Sequence, residues 1–235
     1  TTPVHKKIFE NLLGDGSNIG LNLSYTIQDK PRGLADAFIL GEEFIGNDSI
    51  CLMLGDNLLY GDGLTKILKE SINQVEDNEN AVVFGYYVNK PEDYGIIQLN
   101  QNGEIVSIEE KPSHPTSNYA IIGLYFYPNN VIQLAKKVKP SLRGEIEITS
   151  INQAYLNNNK IKANLLGRGF TWMDTGTHES LLEASQLIKS LQNQEQFTLI
   201  IPSKSELNLL DQSVVFSFFQ KNSSNDGSRP KLYCM

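Results

Sequence analysis

A carboxylate at the end of a buried strand is the first place in this chain where chemistry is expected. Ile50–Leu54 is an unbroken apolar run, short and closed by glycine, and it reads as a buried strand. Gly55-Asp56-Asn57 follows directly. In open α/β sheets, ligands sit in the crevice outside the carboxyl ends of the strands. A lone Asp there suits a hard divalent cation, Mg2+ above all, bridging the protein to a phosphate. Gly, Asp and Asn are also common turn formers, so a plain turn is the competing reading, and local pattern alone favours it. A second Asp stands in a similar place far along the chain. Phe170-Thr171-Trp172-Met173-Asp174 ends an apolar segment and is followed by Thr-Gly-Thr. Between the two lies Glu109-Glu110-Lys111-Pro112, three charges leaving a strand. A Glu to accept hydroxyl groups beside a Lys to meet a phosphate is the sharper reading, and a solvated strand end the plainer one. No Ser/His/Asp or Cys/His arrangement accompanies them. His178 has no Cys or His partner at metal-ligand spacing and reads as a first-turn helix residue.

These residues need a scaffold, and composition allows one. The 235 residues are 40% hydrophobic and 9% aromatic, enough for one large domain or one domain with an appendage. A net charge of −7 gives no global basic field for a nucleic-acid backbone, so phosphates must be met by local Lys, Arg and metal. Cys51 sits inside the apolar run and Cys234 next to the end, so no disulfide framework is implied. That fits a reducing, cytoplasmic setting. No apolar run is long enough to span a membrane. The chain begins Thr-Thr-Pro without Met, as a processed or partial chain would.

Periodicity predicts a helix over Thr2–Leu13, capped by Thr2, and a half-buried strand over Leu21–Ile27. A loop through Gln28, Pro31 and Gly33 leads into a helix over Leu34–Phe44. Such a loop suits a nucleotide base or phosphate, although a routine strand-to-helix connection is commoner. Helices are further predicted over Leu64–Val75, Val131–Val138, much of Pro140–Leu156, and His178–Leu191. Strands are predicted over Ala81–Val88, Asn118–Tyr127 and Ile161–Leu166, with a hairpin from Ile96–Leu99 and Ile105–Glu109. Gly123 inside a strand hints at a bulge or at close approach by a ligand. Alternating strands and helices imply an α/β fold: a Rossmann-like, mostly parallel sheet with flanking helices and an inserted β-hairpin. From about Thr198 the pattern changes, and Ser213–Phe219 is an uncharged β-prone run. The expected organisation is a main domain over residues 1–197 and a divergent, poorly ordered tail over 198–235.

Taken together, the segments resemble a known family. Gly-Leu-Ala, Leu-Gly-Asp-Asn, Asp-Tyr-Gly, Glu-Glu-Lys-Pro, Asn-Tyr-Ala-x-x-Gly-Leu-Tyr, Arg-Gly-Glu-x-Glu-Ile-Thr and Trp-x-Asp-Thr-Gly-Thr occur in this order. The set is similar to that of the glucose-1-phosphate thymidylyltransferases, within the sugar nucleotidyltransferases, over about residues 1–197. The resemblance implies a nucleotide-diphospho-sugar transferase fold and a reaction: dTTP and glucose 1-phosphate give dTDP-glucose and pyrophosphate. It implies Mg2+ held by Asp56 and Asp174, and catalytic roles for Asp56, Lys111, Arg143 and Asp174. It implies nucleotide contacts at Gln28, Pro31, Gly33 and Asp56. Sugar-phosphate contacts would fall at Tyr94, Gly95, Glu110, Lys111, Ile121, Tyr125 and Arg143. Family members are homo-oligomers.

Two departures temper the resemblance. The family's first strand and its Gly-rich triphosphate loop, of the form Leu-Ala-Gly-Gly-x-Gly-Thr-Arg-Leu-x-Pro, have no counterpart in this sequence. The chain is therefore expected to lack the N-terminal strand, to leave Ile50–Leu54 without its neighbour, and to turn over little by itself. The residues after Phe197 also leave the family's pattern, which puts the subunit interface in question. The alternatives are a non-catalytic sugar-phosphate-binding or assembly module, or a sugar nucleotidyltransferase that uses UTP or ATP.

Overall fold

The computed structural model describes residues 1–17, 20–141 and 143–193, together with the backbone of Tyr233–Cys234. The chain divides into two compact units, one of Thr1–Pro31 with Ser185–Leu232, the other of Arg32–Ala184 with Tyr233–Met235. The expected boundary near residue 197 and the run at 213–219 lie outside the described residues. No described helix is long and apolar enough to cross a membrane.

In the first unit, α1 (Pro3–Leu13) starts as its sequence predicts. The Thr2 side chain accepts from the His5 N–H, and Pro3 takes the first turn. Residues 21–27 form no strand among the described residues, contrary to the alternation of their side chains. An alternating pattern favours extended backbone, but a ladder also needs a partner edge. Here the backbone makes isolated bonds instead: the Leu23 N–H donates to the Asp15 carbonyl and the Gln28 N–H to that of Thr1.

The second unit is a seven-stranded sheet plus a two-stranded ribbon. The sheet comprises β1 (Ile50–Met53), β3 (Ala81–Tyr87), β4 (Gly95–Leu99), β5 (Ile105–Glu110), β6 (Tyr119–Tyr127), β7 (Ile161–Leu166) and β9 (Tyr233–Cys234). The ribbon pairs β2 (Asn57–Gly61) with β8 (Phe170–Asp174). β1, β3, β4, β7 and β9 run one way, β5 and β6 the other. The α/β class therefore holds, but β6 lies between strands that run opposite to it, so its own pairings are all antiparallel. β6 is buried along nearly its whole length, which is why its sequence is almost continuously apolar.

Strand period sorts β6 onto two cores. Ile121, Tyr125 and Tyr127 join the cluster of Phe38, Val131, Ile132, Ile151 and Tyr155. These come from α2 (Asp36–Leu40), α5 (Val131–Lys137) and α6 (Ile148–Asn157). Ile122, Leu124 and Phe126 face the other way, with Val75 of α4 (Leu64–Asn78) and with Phe170 and Trp172 of the ribbon. Three expectations need correction. The helix predicted over Leu34–Phe44 breaks at Gly41 into α2 and α3 (Glu42–Ile45). The segment expected to be helical from Pro140 becomes helical only at Ile148, because Pro140 and Gly144 interrupt it. Ile50–Leu54 is not left open either: β1 pairs with β6 on one edge and with β9 on the other, so its buried backbone groups find partners.

One edge of β6 serves two neighbours. β4 pairs with Tyr119 and Ala120, whereas β1 pairs with Leu124–Tyr127. The two part around Gly123. A Cβ at Gly123 would lie 2.7 Å from both Asn57 Oδ1 and Leu54 Cδ1. Gly123→Ala is therefore expected to lower stability by roughly 1–3 kcal/mol through overpacking. A thermal melt checks this, and an unchanged midpoint would contradict the close approach.

Candidate active site

The parting of β4 and β1 opens a pocket of about 380 Å3 on the β6 face that carries Ile121, Gly123 and Tyr125. Its far wall is the start of α6, through Ile148, Thr149 and Asn152. Of the residues expected from the motifs, Tyr94, Gly95, Glu110, Lys111, Ile121, Tyr125, Arg143 and Asp174 all line this one pocket. They come from β4, β5, β6, β8 and three loops, which only the sheet topology brings together.

Asp56 stands beside it. Asn57 and Asp174 are register partners in the ribbon, and the Thr175 N–H donates to the Asp56 carbonyl at 2.7 Å. A Cβ at Gly176 would lie 3.0 Å from Asp174 Oδ1 and 3.6 Å from Asp56 Oδ2. The two carboxyl groups thus flank a single point. Among the described residues no third His, Cys, Asp or Glu completes a metal cage with them. Two hard carboxylates without a cage fit Mg2+, which keeps waters and takes its remaining ligands from substrate phosphates.

Glu110 is fixed from two directions. The Thr149 hydroxyl donates to its Oε2, and Arg143 Nη2 approaches its Oε1 at 3.6 Å. Arg143 also pairs with Glu147 at 2.8 Å and Glu145 at 3.7 Å. The hydrogen bond to Glu147 and that residue's charge hold the guanidinium above its usual pKa, so it stays charged. Its side chain is 47% exposed. Exposed ion pairs contribute only about 0–1 kcal/mol, so an incoming phosphate can take the place of a carboxylate at little cost. Lys111 adopts a left-handed backbone, φ 43°, just past β5, and its N–H donates to the Tyr94 carbonyl. A side chain in that conformation is strained by roughly 1–2 kcal/mol, and such strain clusters at functional sites. Burial, then the nearby Asp174 and Asp93, raise the Tyr94 phenol above its ordinary pKa. Burial, then Glu110, raise that of Tyr125 further. Both rings stay neutral at physiological pH and offer hydroxyl donors.

Gln28 and Pro31 belong to the first unit. Gly33 does not line the pocket. Its φ of +95° and its contact with the Ile146 backbone, 2.5 Å from the carbonyl oxygen to a notional Cβ, explain the glycine without a ligand. His178 opens α7 (His178–Asn193), as expected.

Sequence reasoning passed over Asn57, which ties the site together. Asn57 Oδ1 accepts from the Gly123 N–H at 3.1 Å and from Trp172 Nε1 at 2.6 Å. Two N–H donors at one atom fix it as the oxygen. Its Nδ2 donates to Asp56 Oδ1 at 2.9 Å. One amide thereby joins β6, β8 and the Asp56 carboxylate. The only early signal was its place directly after that Asp. Trp172 in turn packs edge-on against Tyr94, ring centroids 5.4 Å apart.

The profile of the nucleotidyl transferase family matches residues 1–190. The chain belongs to this family. A glucose-1-phosphate thymidylyltransferase of Neisseria meningitidis is 50% identical over 193 residues, covering 82% of this chain and 66% of that protein. Among solved structures, a Bacillus anthracis protein assigned as a glucose-1-phosphate thymidylyltransferase, in complex with sucrose, superposes with a TM-score of 0.72. It is 36% identical over 87% of this chain and 77% of the other. A UDP-glucose pyrophosphorylase complexed with UDP-glucose is 27% identical, with a TM-score of 0.62 over 71% of this chain and 66% of its own. The family resemblance and the nucleotide-sugar transferase fold expected from the motifs are borne out. The chain spans just under two thirds of the length of the first curated relatives it matches, 66% in the N. meningitidis case.

Trp172 is the only tryptophan in the sequence and lines the pocket, so it reports on it. Asn57→Ala removes the acceptor of its indole N–H and leaves the Gly123 N–H unpaired. The expected result is a shifted Trp emission maximum and a stability loss of roughly 1–3 kcal/mol. Fluorescence during thermal unfolding measures both, and an unmoved maximum would show that the indole is not held by Asn57.

Proposed function

We propose that this chain carries the sugar-phosphate and metal side of a nucleotidyl transfer site in which dTTP and glucose 1-phosphate give dTDP-glucose and pyrophosphate. The observation that carries this reading is that Asp56 and Asp174 flank one point at the edge of a pocket that also holds Glu110, Lys111 and Arg143. The 50% identity to a thymidylyltransferase supports the choice of nucleotide and sugar.

An oxygen of the sugar phosphate attacks the α-phosphorus of the nucleotide. A new P–O bond forms there as the bond from the α-phosphorus to the bridging oxygen breaks, and pyrophosphate leaves. No protein nucleophile is required, so the residues act by position and charge. Lys111 and Arg143 offer two cations to the sugar phosphate at the pocket mouth. Glu110, held by Thr149, accepts from a ring hydroxyl. Tyr94 and Gly95 wall the sugar, and Ile121, between the two pairings on the β6 edge, offers backbone groups to it. Tyr125 lies alongside. Asp56 and Asp174 would hold Mg2+, which when bound neutralises phosphate charge as it builds during transfer. Recognition of thymine is assigned by resemblance alone to Gln28, Pro31 and Gly33.

A second reading is glucose 1-phosphate binding without turnover. It needs only the pocket that Glu110, Lys111 and Arg143 line. Calorimetry with glucose 1-phosphate, run beside pyrophosphate release from dTTP, separates the two. Binding with release supports transfer, binding alone supports the module, and neither defeats both.

In a complete relative, the substitution equivalent to Asp174→Asn is expected to cut pyrophosphate release at least a hundredfold, by analogy with the loss of one preorganised electrostatic group. An unchanged rate at saturating Mg2+ would remove Asp174 from the metal. Lys111→Gly relieves the left-handed strain while deleting the cation. Its melting point should hold or rise while glucose 1-phosphate affinity falls about tenfold. Full affinity in that variant would refute the role given to Lys111.

A further inference from the structure

Among the residues that line the same pocket is a buried amide with half of its hydrogen bonding unused. Asn152 is fully buried and lines the pocket. Its Oδ1 accepts from the Tyr127 hydroxyl at 2.5 Å. Its Nδ2 has no hydrogen-bond partner among the described residues. A buried amide N–H without a partner costs about 1–3 kcal/mol, and nearly all such groups in folded proteins are paired. Tyr127 is itself stacked between Tyr125 and Tyr155, ring centroids 6.1 and 5.6 Å apart, which holds in place the hydroxyl that donates to Asn152 Oδ1.

The position of this amide on its helix says what it can meet. Thr149 and Asn152 are three residues apart on α6 and share one face. Thr149 secures Glu110, which accepts hydrogen bonds and, when ionised, cannot donate. One helical turn on, Asn152 Nδ2 can only donate. A group that both donates to a carboxylate and, at a neighbouring atom, accepts from an amide is a polyol. The cations Lys111 and Arg143 lie towards the mouth, so the polyol end of a sugar phosphate points to the floor.

Resting on the reading above, we propose that Asn152 is a specificity-determining residue of the sugar site, its Nδ2 donating to a ring hydroxyl other than the one held by Glu110. The interaction selects sugars that carry an oxygen at that position.

The test is a cycle between protein and ligand. Glucose 1-phosphate and its 2-, 3-, 4- and 6-deoxy analogues are titrated by calorimetry into the unsubstituted chain and into Asn152→Ala. Glucose 1-phosphate should bind the variant about three- to tenfold more weakly, the usual worth of one hydrogen bond. For a single deoxy analogue the two proteins should bind equally, while the others keep the full loss. An equal loss for every sugar, as expected if Asn152 only supports the floor or holds a water, overturns the proposal, and so does no loss at all. A readout that needs no variant is the Asn152 side-chain amide in a 15N spectrum. It should shift and gain protection from exchange on adding glucose 1-phosphate, and an unmoved resonance at saturation also overturns it. Failure of the unsubstituted chain to bind glucose 1-phosphate at all would defeat the functional reading, and this inference with it. Binding with Asn152 silent defeats this inference alone.

Discussion

The cleft exists because one edge of one strand cannot serve two neighbours at the same place. β6 gives its first residues to β4 and its last to β1, and among the described residues no third strand fills the interval between them. Gly123 sits there with Leu54 and Asn57 pressed against it, closer than any side chain would allow. The pocket is thus a consequence of sheet pairing rather than of a mobile loop. A site built on strands holds its groups more precisely than one built on loops.

From that fork, a single amide sets the electrostatics of the ribbon side. Asn57 anchors on the β6 backbone and the Trp172 indole and turns its remaining donor to Asp56. Gly176 does the same for Asp174, its N–H donating to Oδ1 at 2.9 Å. Each carboxylate has one oxygen occupied by the protein. The opposite wall is balanced differently. Arg143 stands among Glu110, Glu145 and Glu147, and the surplus of negative charge keeps the guanidinium placed without burying it. Exposed pairs of this kind are weak enough to exchange for a phosphate. The pocket thereby has two chemically distinct ends, one suited to cation and phosphates and the other to hydroxyl groups.

Much of this was legible in the sequence, and for identifiable reasons. Period-2 and period-3.6 patterns placed β3, β4, β5, β6, β7 and α5 within a residue and α4 within three, because burial enforces those periods. The motif order pointed to the family, and the residues it nominated on the second unit, Gly33 apart, converge in or beside one pocket. Local pattern failed where tertiary partners decide the outcome. Residues 21–27 alternate like a strand yet have no ladder among the described residues. Asn57 ends a Gly-Asp-Asn turn signal and Leu58–Gly61 carries no strand assignment, yet Asn57–Gly61 pairs with Phe170–Asp174, more than a hundred residues away. Asn57 and Asn152 were invisible as site residues, because a single Asn carries no periodicity. What distinguishes them is the partners they have, or lack, after folding.

The central claim is that Asp56 and Asp174 share one divalent ion between the two substrate phosphates. It is tested most directly by anomalous diffraction from crystals grown with Mn2+ and dTDP-glucose. The account expects one strong anomalous peak within bonding distance of an oxygen of each Asp and of a ligand phosphate. A peak bound to only one of the two carboxylates, or seated elsewhere with the sugar nucleotide in place, would contradict it.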